Sequence, residues 1–397
     1  MLNTKFSDWP SYTQEDVKMV GHILLSNKVN YWTGGECQSF EGEFASWTGA
    51  KHAIALANGT VALELALKAL NVGAGDEVIT TPRSFVATAS SIVNVGAMPV
   101  FADVDLNSQA ITASSIEEKL TPLTKAVIVV HLAGMPADMD EIMELSRKHS
   151  FYVIEDCAQA HGAFYKGKSV GTIGHVGAWS FCQDKIITTA GEGGMVTTND
   201  ETLWSRMWSY KDHGKNYDSV FGKKHPPGFR WIHDTIGTNW RMTEMQAAIG
   251  RSQLSRLNSW RLKRQQNAAA INNAVKDLVI VRRVEVPEHI EHAGYKHYLF
   301  VNREWLKPDW SRDRIIAEIN KRGVPAYHGS CSEIYLEKCF DNLGCRPKLP
   351  LKNAVELGES SMMFLIHPTL TLDNINTTCA VLREVLIEAQ RSCPTEY

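Results

Sequence analysis

The sequence predicts an α/β protein with a mostly parallel sheet, followed by a smaller α+β domain. Over the first two-thirds of the 397 residues, short apolar runs alternate with helical patterns, the rhythm of parallel strands joined by crossover helices. One long helical pattern, rich in Ala, Gln, Leu and Arg, then spans about 243–275, and the apolar runs beyond it are typical of antiparallel strands. A chain of this length is typical of two domains packed together. We therefore expect a large domain at residues 1–259 and a small one at 260–397.

The alternating part supplies the predicted elements of the large domain. The segment 125–131 has five consecutive apolar residues, a pattern typical of a strand that is buried on both faces. Strands are predicted at 52–58, 76–81, 98–104, 125–131, 151–155, 176–181 and 195–198, and helices at 60–70, 84–95 and 138–149. In the small domain, strands are predicted at 278–286 and 298–302, and helices at 311–321 and 372–390.

Composition and charge favour a soluble enzyme. The chain is 44% hydrophobic and 21% charged, and its 41 Lys and Arg residues nearly balance its 44 Asp and Glu residues. A net charge of -3 gives no electrostatic reason to expect a nucleic-acid partner. The longest basic stretch, 261–264, is expected on a solvated helix face. With no signal peptide and no apolar run long enough to span a bilayer, we expect a cytoplasmic protein that does not enter a membrane.

The eight cysteines are scattered. None forms a CxxC pair, and no His/Cys cluster has the spacing of a zinc site, so no metal site is predicted. Free thiols in a reducing compartment are the expected state. A disulfide among Cys331, Cys339 and Cys345 remains an alternative.

The first candidate site residues follow the strand at 52–58. Gly59 allows the backbone to approach a ligand closely, and the helix that begins here offers unpaired N–H groups and the positive end of its dipole. Gly59 and Thr60 therefore predict a phosphate site. The alternative is an ordinary strand–turn–helix junction in which Thr60 caps the helix.

A second candidate is Asp156, at the carboxyl end of the strand at 151–155, where open α/β sheets bind ligands. A partly buried acid needs a partner, and the protonated nitrogen of a pyridine ring would serve. Gln159, three residues later, could then bond a hydroxyl on that ring. A helix-capping Asp is the alternative.

A third candidate is Lys185, in the loop after the strand at 176–181. A lysine in a partly dry pocket can lose its proton and form a Schiff base. The glycine-rich turn 191–194 follows closely, and the hydroxyl of Ser180 could add a phosphate contact. Taken alone, a lysine near the end of a sheet is usually a surface residue.

Phe85 follows the strand at 76–81 at the same sheet edge. An aromatic side chain there could stack on a flat heteroaromatic ring. The alternative is that Phe85 belongs to the core.

Taken together, these motifs resemble the DegT/DnrJ/StrS family of sugar aminotransferases. The resemblance is strongest between about Trp32 and Leu257 and weaker in the C-terminal domain. It is carried by 57–60 (ANGT), 75–78 (GDEV), 84–89 (SFVATA), 99–104 (PVFADV), 130–134 (VHLAG), 155–162 (EDCAQAHG), Lys185, 191–194 (GEGG), 212–214 (DHG) and 237–248 (GTNWRMTEMQAA).

The resemblance implies a fold-type I enzyme that depends on pyridoxal 5′-phosphate (PLP), with a mostly parallel seven-stranded sheet. It assigns Lys185 the covalent bond to the cofactor, Asp156 the ring nitrogen, Gln159 the ring hydroxyl and Phe85 the stacking position. Gly59, Thr60 and Ser180 match the phosphate contacts of the family. Asn239 matches a residue that reaches the phosphate from the neighbouring subunit, which implies a homodimer with shared active sites.

The activity implied is transfer of an amino group to a keto or aldehydo sugar for lipopolysaccharide or other cell-surface polysaccharide. L-glutamate is the usual donor and leaves as 2-oxoglutarate. The sugar expected is a nucleotide-linked keto-hexose or an 8-oxo octulosonate, the latter giving 8-amino-3,8-dideoxy-octulosonate. The alternatives are a dehydratase of the same family, which has His in place of Lys185, a non-catalytic PLP-binding regulator and a nucleotide-sugar transferase without PLP. His213, His328 and His367 fall in segments that approach the pocket in such enzymes, and no role is assigned to them.

Overall fold

The computed structural model describes residues 6–391, which form three sheets surrounded by helices. The helices are α1 (Gln14–Ser26), α2 (Glu36–Thr48), α3 (Gly59–Ala69), α4 (Ala87–Asn94), α5 (Ala113–Glu117), α6 (Met139–His149), α7 (Glu201–Lys211), α8 (Glu244–Ala274), α9 (Arg312–Lys321), α10 (Lys352–Ser360) and α11 (Leu372–Ala389). The strands are β1 (His52–Leu56), β2 (Glu77–Thr80), β3 (Met98–Phe101), β4 (Thr124–Val130), β5 (Tyr152–Asp156), β6 (Phe164–Tyr165), β7 (Lys168–Ser169), β8 (Val176–Ser180), β9 (Gly194–Thr198), β10 (Val281–Arg283), β11 (Ile290–Glu291), β12 (His297–Val301), β13 (Ala326–Tyr327) and β14 (Ser361–Phe364). None of the helices within residues 6–391 is both long and apolar enough to cross a membrane.

The largest sheet has seven strands in the order β1-β9-β8-β5-β4-β2-β3. The pairs β3–β2, β2–β4, β4–β5 and β5–β8 are parallel, whereas β9 runs antiparallel to both of its neighbours, β1 and β8. The predicted mostly parallel, seven-stranded sheet is therefore confirmed. The parallel pairing brings the carboxyl ends of five strands to one edge, where ligands bind in such sheets.

Strand β4 shows why the sheet is buried on both faces. Ala126 and Ile128 pack into the apolar cluster on one side of the sheet, together with residues of α3. Val127 and Val129 pack into the cluster on the other side, together with residues of α6. Because successive side chains of a strand point to opposite faces, burial of both faces requires the unbroken apolar run of the sequence.

The C-terminal part contains a four-stranded antiparallel sheet in the order β10-β12-β14-β13, with α9 and α11 packed on it. Helix α8 joins the two parts, since Ala247 and Leu257 pack with the large sheet while Ile271 packs with the small one. The predicted boundary between residues 259 and 260 falls inside this helix. Division of the chain into domains there stays a prediction.

Two expectations about this region are wrong. The strand predicted at 278–286 is limited to β10, because β12 offers it a three-residue pairing. The basic stretch 261–264 is not a uniformly solvated face, since Arg264 is buried and donates to the carbonyl oxygens of Gly294 and Tyr295, 3.2 Å away in each case. The ring of Trp9 covers its guanidinium at 5.0 Å.

The cysteines of the described residues are free thiols. The alternative disulfide among Cys331, Cys339 and Cys345 is therefore not formed. Cys393 lies outside the described residues.

Candidate active site

A cavity of about 1190 Å³ opens at the carboxyl edge of the large sheet. Side chains from the small sheet and its connections close the opposite wall, among them Tyr295, Lys296 and Tyr298. Seven of the eight site residues predicted from the sequence line this one cavity: Gly59, Thr60, Phe85, Asp156, Gln159, Ser180 and Lys185.

The first part of the cavity wall is the N-terminus of α3. Asn58 caps this helix, because its side chain accepts a hydrogen bond from the N–H of Val61 at 3.0 Å. The alternative in which Thr60 is the cap is therefore wrong. A Cβ atom on Gly59 would lie 2.6 Å from the Cβ of Ser180, so only glycine lets the helix terminus approach the end of β8 this closely.

The close approach at Gly59 gives a testable prediction. In Gly59→Ala, the new methyl group pushes the helix terminus away from Ser180 at a cost of about 1–3 kcal/mol. We expect the Kd of the anionic ligand held here to rise roughly ten- to a hundredfold, measured by titrating it into ligand-free protein. Gly42→Ala is the matched control, because a Cβ at Gly42 meets nothing within 4 Å. Equal affinities in the two variants would contradict an anion site between the α3 terminus and Ser180.

Asp156 ends β5 and is buried. Its carboxylate accepts two hydrogen bonds, from the N–H of Ala158 at 3.1 Å and from the hydroxyl of Thr88 at 2.9 Å. The chain continues from there into a turn, so the helix-capping alternative is wrong. Burial raises the pKa of Asp156, although these two hydrogen bonds and the charge of Lys185 oppose the rise. A cationic donor at the cavity side would remove this cost.

A buried network anchors the strand end that carries Asp156. Nδ1 of His131 accepts a hydrogen bond from the N–H of Ala137, so Nε2 carries the proton and donates to Glu155 at 3.0 Å. Glu155 also accepts three backbone hydrogen bonds of 2.6–2.8 Å, from Gly171, Ile173 and Gly174. His131, Glu155 and Cys157 are close enough together to hold a metal ion, but the imidazole and carboxylate of this group already have full sets of partners.

Lys185 reaches the cavity from the loop after β8, with 16% of its side chain exposed. Its ammonium lies 3.5 Å from the hydroxyl of Tyr295 and 3.6 Å from the carboxylate of Asp184. The indole N–H of Trp9 donates to the Lys185 carbonyl oxygen at 2.9 Å and fixes its backbone. Lys185 is therefore a nearly buried amine whose position is set by three neighbours.

Tyr295 and Asp184 form a pair beside this amine. The Tyr295 hydroxyl donates to the Asp184 carboxylate. Burial opposes ionisation of Asp184, but the charge of Lys185 and the Tyr295 hydrogen bond outweigh it and lower the Asp184 pKa. Burial and the neighbouring Asp184 hold the pKa of Tyr295 well above its ordinary value. The pair thus consists of a carboxylate and a neutral phenol. Sequence reasoning assigned a role to neither residue. Asp184 lies in the motif 180–185, where only Ser180 and Lys185 received roles, and Tyr295 lies in no motif used for the prediction.

Gln159 and Phe85 also line the cavity. The side-chain oxygen of Gln159 accepts from the N–H of Ala133 at 2.7 Å, and its amide NH2 donates to no group within residues 6–391, so it can donate to a ligand. Phe85 precedes α4 and is 69% exposed. The alternative that Phe85 belongs to the core is therefore wrong, and its ring is available for stacking.

The remaining candidates lie away from this cavity. Asn239 is exposed and does not line it within its own chain. His213 and His328 are exposed as well, and His328 pairs with Asp313 at 3.2 Å. His367 is buried against Trp9, and burial lowers its pKa to about 3. No role in the cavity follows for the three histidines.

Comparison with known proteins identifies the family of this chain. The model of the DegT/DnrJ/EryC1/StrS aminotransferase family matches residues 10–383. The chain belongs to this family. The predicted class, a PLP-dependent sugar aminotransferase, is confirmed by the family and by its named members.

Two relatives and one solved structure illustrate the similarity. The chain is 40% identical over 367 residues to the UDP-N-acetyl-3-dehydro-α-D-glucosamine 3-aminotransferase of Acidithiobacillus ferrooxidans, covering 92% of each protein. It is 36% identical over 352 residues to the GDP-perosamine synthase of Caulobacter vibrioides, covering 88% of this chain and 89% of that protein. The structure of the aminotransferase from Psychrobacter cryohalolentis matches with a TM-score of 0.95 at 57% identity, covering 97% of this chain and 99% of that chain.

The cavity of this family member fits PLP. The N-terminus of α3 and the Ser180 hydroxyl would hold the phosphate, because the glycine cradle brings them together. The buried Asp156 carboxylate has acceptor capacity left and would pair with the protonated ring nitrogen. The free amide NH2 of Gln159 suits the ring hydroxyl, and the amine of Lys185 suits the aldehyde.

Proposed function

We propose that this chain transfers the amino group of L-glutamate to the keto carbon of a nucleotide-linked hexose, for a lipopolysaccharide or another cell-surface polysaccharide. The observation that carries this proposal is the meeting of Lys185 and Asp156 in one cavity, which is wide enough for a sugar. Lys185 also argues against the dehydratase alternative, in which His takes its place.

Each residue of the site has a separate role in the proposed amino transfer. PLP, when bound, draws electrons from the carbon that carries the amino group. Asp156 keeps the ring nitrogen protonated through its negative charge. Lys185 would hold the cofactor covalently, and its amine would take the proton from the donor Cα in the first half-reaction and deliver a proton to the sugar carbon in the second. The Asp184–Tyr295 pair and Trp9 hold that amine in place. The donor leaves as 2-oxoglutarate before the sugar enters the same site, a ping-pong order.

The choice of sugar is supported by the relatives. Their names specify UDP- and GDP-linked amino sugars. A cavity of about 1190 Å³ exceeds the usual size of a small-molecule pocket, which suits a nucleotide-linked substrate. The octulosonate interpretation stays a prediction, since neither relative is named for it.

A product screen tests the sugar class. The enzyme is incubated with 2-oxoglutarate and a panel of UDP- and GDP-linked 3- and 4-amino hexoses, together with 8-amino-3,8-dideoxy-octulosonate, and L-glutamate is measured by mass spectrometry. We expect glutamate from at least one nucleotide-linked member and none from Lys185→Ala. Glutamate from the octulosonate alone would contradict the nucleotide-linked class, and none from any member would contradict the proposed function.

We also propose a homodimer with shared active sites. Asn239 belongs to a segment with an exposed apolar surface, since Trp231 is 84% and Ile236 is 92% exposed and Phe229 is exposed as well. Phe229 and Trp231 contact each other, with ring centres 5.1 Å apart, and contiguous apolar surface of this kind marks interaction sites. A second copy that covers the segment would bring Asn239 to the cavity of its partner, where it could reach the phosphate.

Mixing two defective chains tests this arrangement. If Asn239 acts across the interface, Lys185→Ala and Asn239→Ala chains form mixed dimers with one intact site each. Random assembly makes half of the dimers mixed, so about a quarter of all sites should regain activity upon co-expression. The two homodimeric variants give the baseline. Activity no higher than the mean of these baselines, with mixed dimers verified by mass spectrometry, would contradict a shared site.

A further inference from the structure

Lys296 is a second lysine in the active-site cavity, on the wall opposite the end of the large sheet. It lies directly before β12, and its ammonium is 4.8 Å from the centre of the Tyr295 ring. The ammonium of Lys185 lies 5.0 Å from the centre of the same ring. The two amines are therefore within about 10 Å of each other.

The backbone that carries Lys296 is fixed. Arg264 donates to the carbonyl oxygens of Gly294 and Tyr295, the two residues before Lys296. The N–H of Tyr295 donates to the carbonyl oxygen of Ala133, which lies beside Gln159. Hydrogen bonds to the two preceding residues thus fix the backbone at Lys296, and its long side chain extends from this fixed backbone.

Lys296 is the cation of this cavity that has no assigned partner. Lysines 185 and 296 are the positively charged residues that line it from the described chain. Lys185 pairs with Asp184, whereas no described carboxylate lies within ion-pair distance of Lys296. The other acids on the cavity wall are Asp156, Glu192 and Glu337.

The electrostatic environment of Lys296 favours an anionic ligand. Burial lowers the Lys296 pKa to about 8, with Arg264 and Lys185 adding to this effect and Asp184 opposing it. The side chain is therefore still mostly protonated at neutral pH, but its charge is poorly compensated. A bound carboxylate would supply the missing partner and a charge-assisted hydrogen bond.

We propose that Lys296 binds a carboxylate of the amino-acid donor. This inference rests on the proposed function for the identity of the donor, L-glutamate. An α-amino acid carries a carboxylate on the very carbon whose amine reacts at Lys185. L-glutamate carries a second carboxylate a few bonds away. Both carboxylates fall within reach of the Lys296 ammonium, which lies about 10 Å or less from Lys185. The carbonyl carbon of a sugar carries no such charge. The diphosphate of a nucleotide-linked sugar is the competing anion, and the amino-sugar half-reaction tests it. Because one cavity serves both substrates in turn, a flexible ammonium suits it better than a cation locked in a permanent ion pair.

The test separates the two half-reactions. Lys296→Met removes the charge and keeps the length, and Lys296→Arg restores a cation. Single-turnover spectra give the Kd and the limiting rate for L-glutamate in the PLP-loaded enzyme, and the same measurement is made with the amino sugar that reacts in the product screen. Binding of glutarate, an unreactive dicarboxylate, is measured in parallel by calorimetry.

We expect the Kd values of L-glutamate and glutarate to rise roughly 10- to 100-fold in Lys296→Met, the range of a lost charge-assisted hydrogen bond. The amino-sugar half-reaction should change less than about threefold, and Lys296→Arg should recover most of the loss. Unchanged glutamate and glutarate binding, or an equal loss for the amino sugar, would overturn the inference. If the wild-type enzyme itself failed to react with L-glutamate, the proposed donor would be wrong instead.

Discussion

A Lys185→Ala enzyme is expected to bind PLP yet fail to complete repeated turnovers. The groups proposed to hold the cofactor, at the α3 terminus, Ser180 and Asp156, keep their positions without the Lys185 side chain, so binding should persist without a covalent bond. Loss of the amine removes both the covalent attachment and the proton carrier. General acid–base catalysis alone contributes up to about 10,000-fold, and we expect kcat to fall by at least that factor. Steady-state assays and cofactor titration measure the two effects separately.

Two controls identify what the amine contributes. Lys185→Arg keeps a positive charge but stays protonated, so it should be as inactive as Lys185→Ala if proton transfer is what is lost. A small primary amine such as methylamine should partly restore turnover to Lys185→Ala and not to Lys185→Arg. Turnover in Lys185→Ala within about tenfold of the wild type would show that Lys185 is not the essential amine.

Replacing Asp156 with asparagine is expected to keep the fold and remove most of the activity. The new side chain has nearly the same shape and can still bond Ala158 and Thr88. The charge proposed to keep the ring nitrogen protonated is lost, and an electrostatic contribution of this kind in a preorganised site is worth about 100- to 1000-fold in kcat. Steady-state kinetics with equal cofactor loading of both proteins measure the drop.

Although Asp156→Asn lowers activity, it should raise the thermal stability of the cofactor-free protein. Because burial raises the Asp156 pKa in the folded state, ionisation destabilises the fold as pH rises through that raised value. Asp156→Asn escapes this penalty, so its Tm without cofactor should exceed that of the wild type at neutral pH. The difference should disappear at acid pH, where the carboxyl is protonated in the folded and unfolded states alike. Wild-type activity in the variant, or a lower Tm at neutral pH, would contradict the assigned environment of Asp156.

The large sheet could be predicted because its strands are buried on both faces. Continuous apolar runs such as that of β4 are visible in the sequence, whereas the short strands β6, β7 and β11 have two residues each and no periodicity to detect. The antiparallel direction of β9 could not be derived from its sequence, since its five residues are all buried, as they are in the parallel strand β8. Helices α1 and α2 were not predicted, and both pack against α8, which is far away in the sequence.

The site was predictable where its residues follow strands of the large sheet. Asp156 and Ser180 end two neighbouring parallel strands, and this position by itself indicates a ligand site. Tyr295 and Lys296 lie more than 100 residues beyond Lys185, in the C-terminal part of the chain, and only the packing of this part against the large sheet brings them to the cavity. No local pattern distinguishes them from other aromatic and basic residues.

We expect Lys185, and not its neighbour Lys296, to carry the cofactor. Both amines line the same cavity, and a lysine whose pKa is lowered by burial is chemically able to form the same bond. Reduction of the PLP-loaded wild-type enzyme with borohydride, followed by mass spectrometry of its peptides, reports the attachment point directly. The structure predicts a phosphopyridoxyl group on the peptide containing Lys185 and on no other. A label on Lys296, or on any other lysine, would contradict the roles assigned to every residue around Lys185.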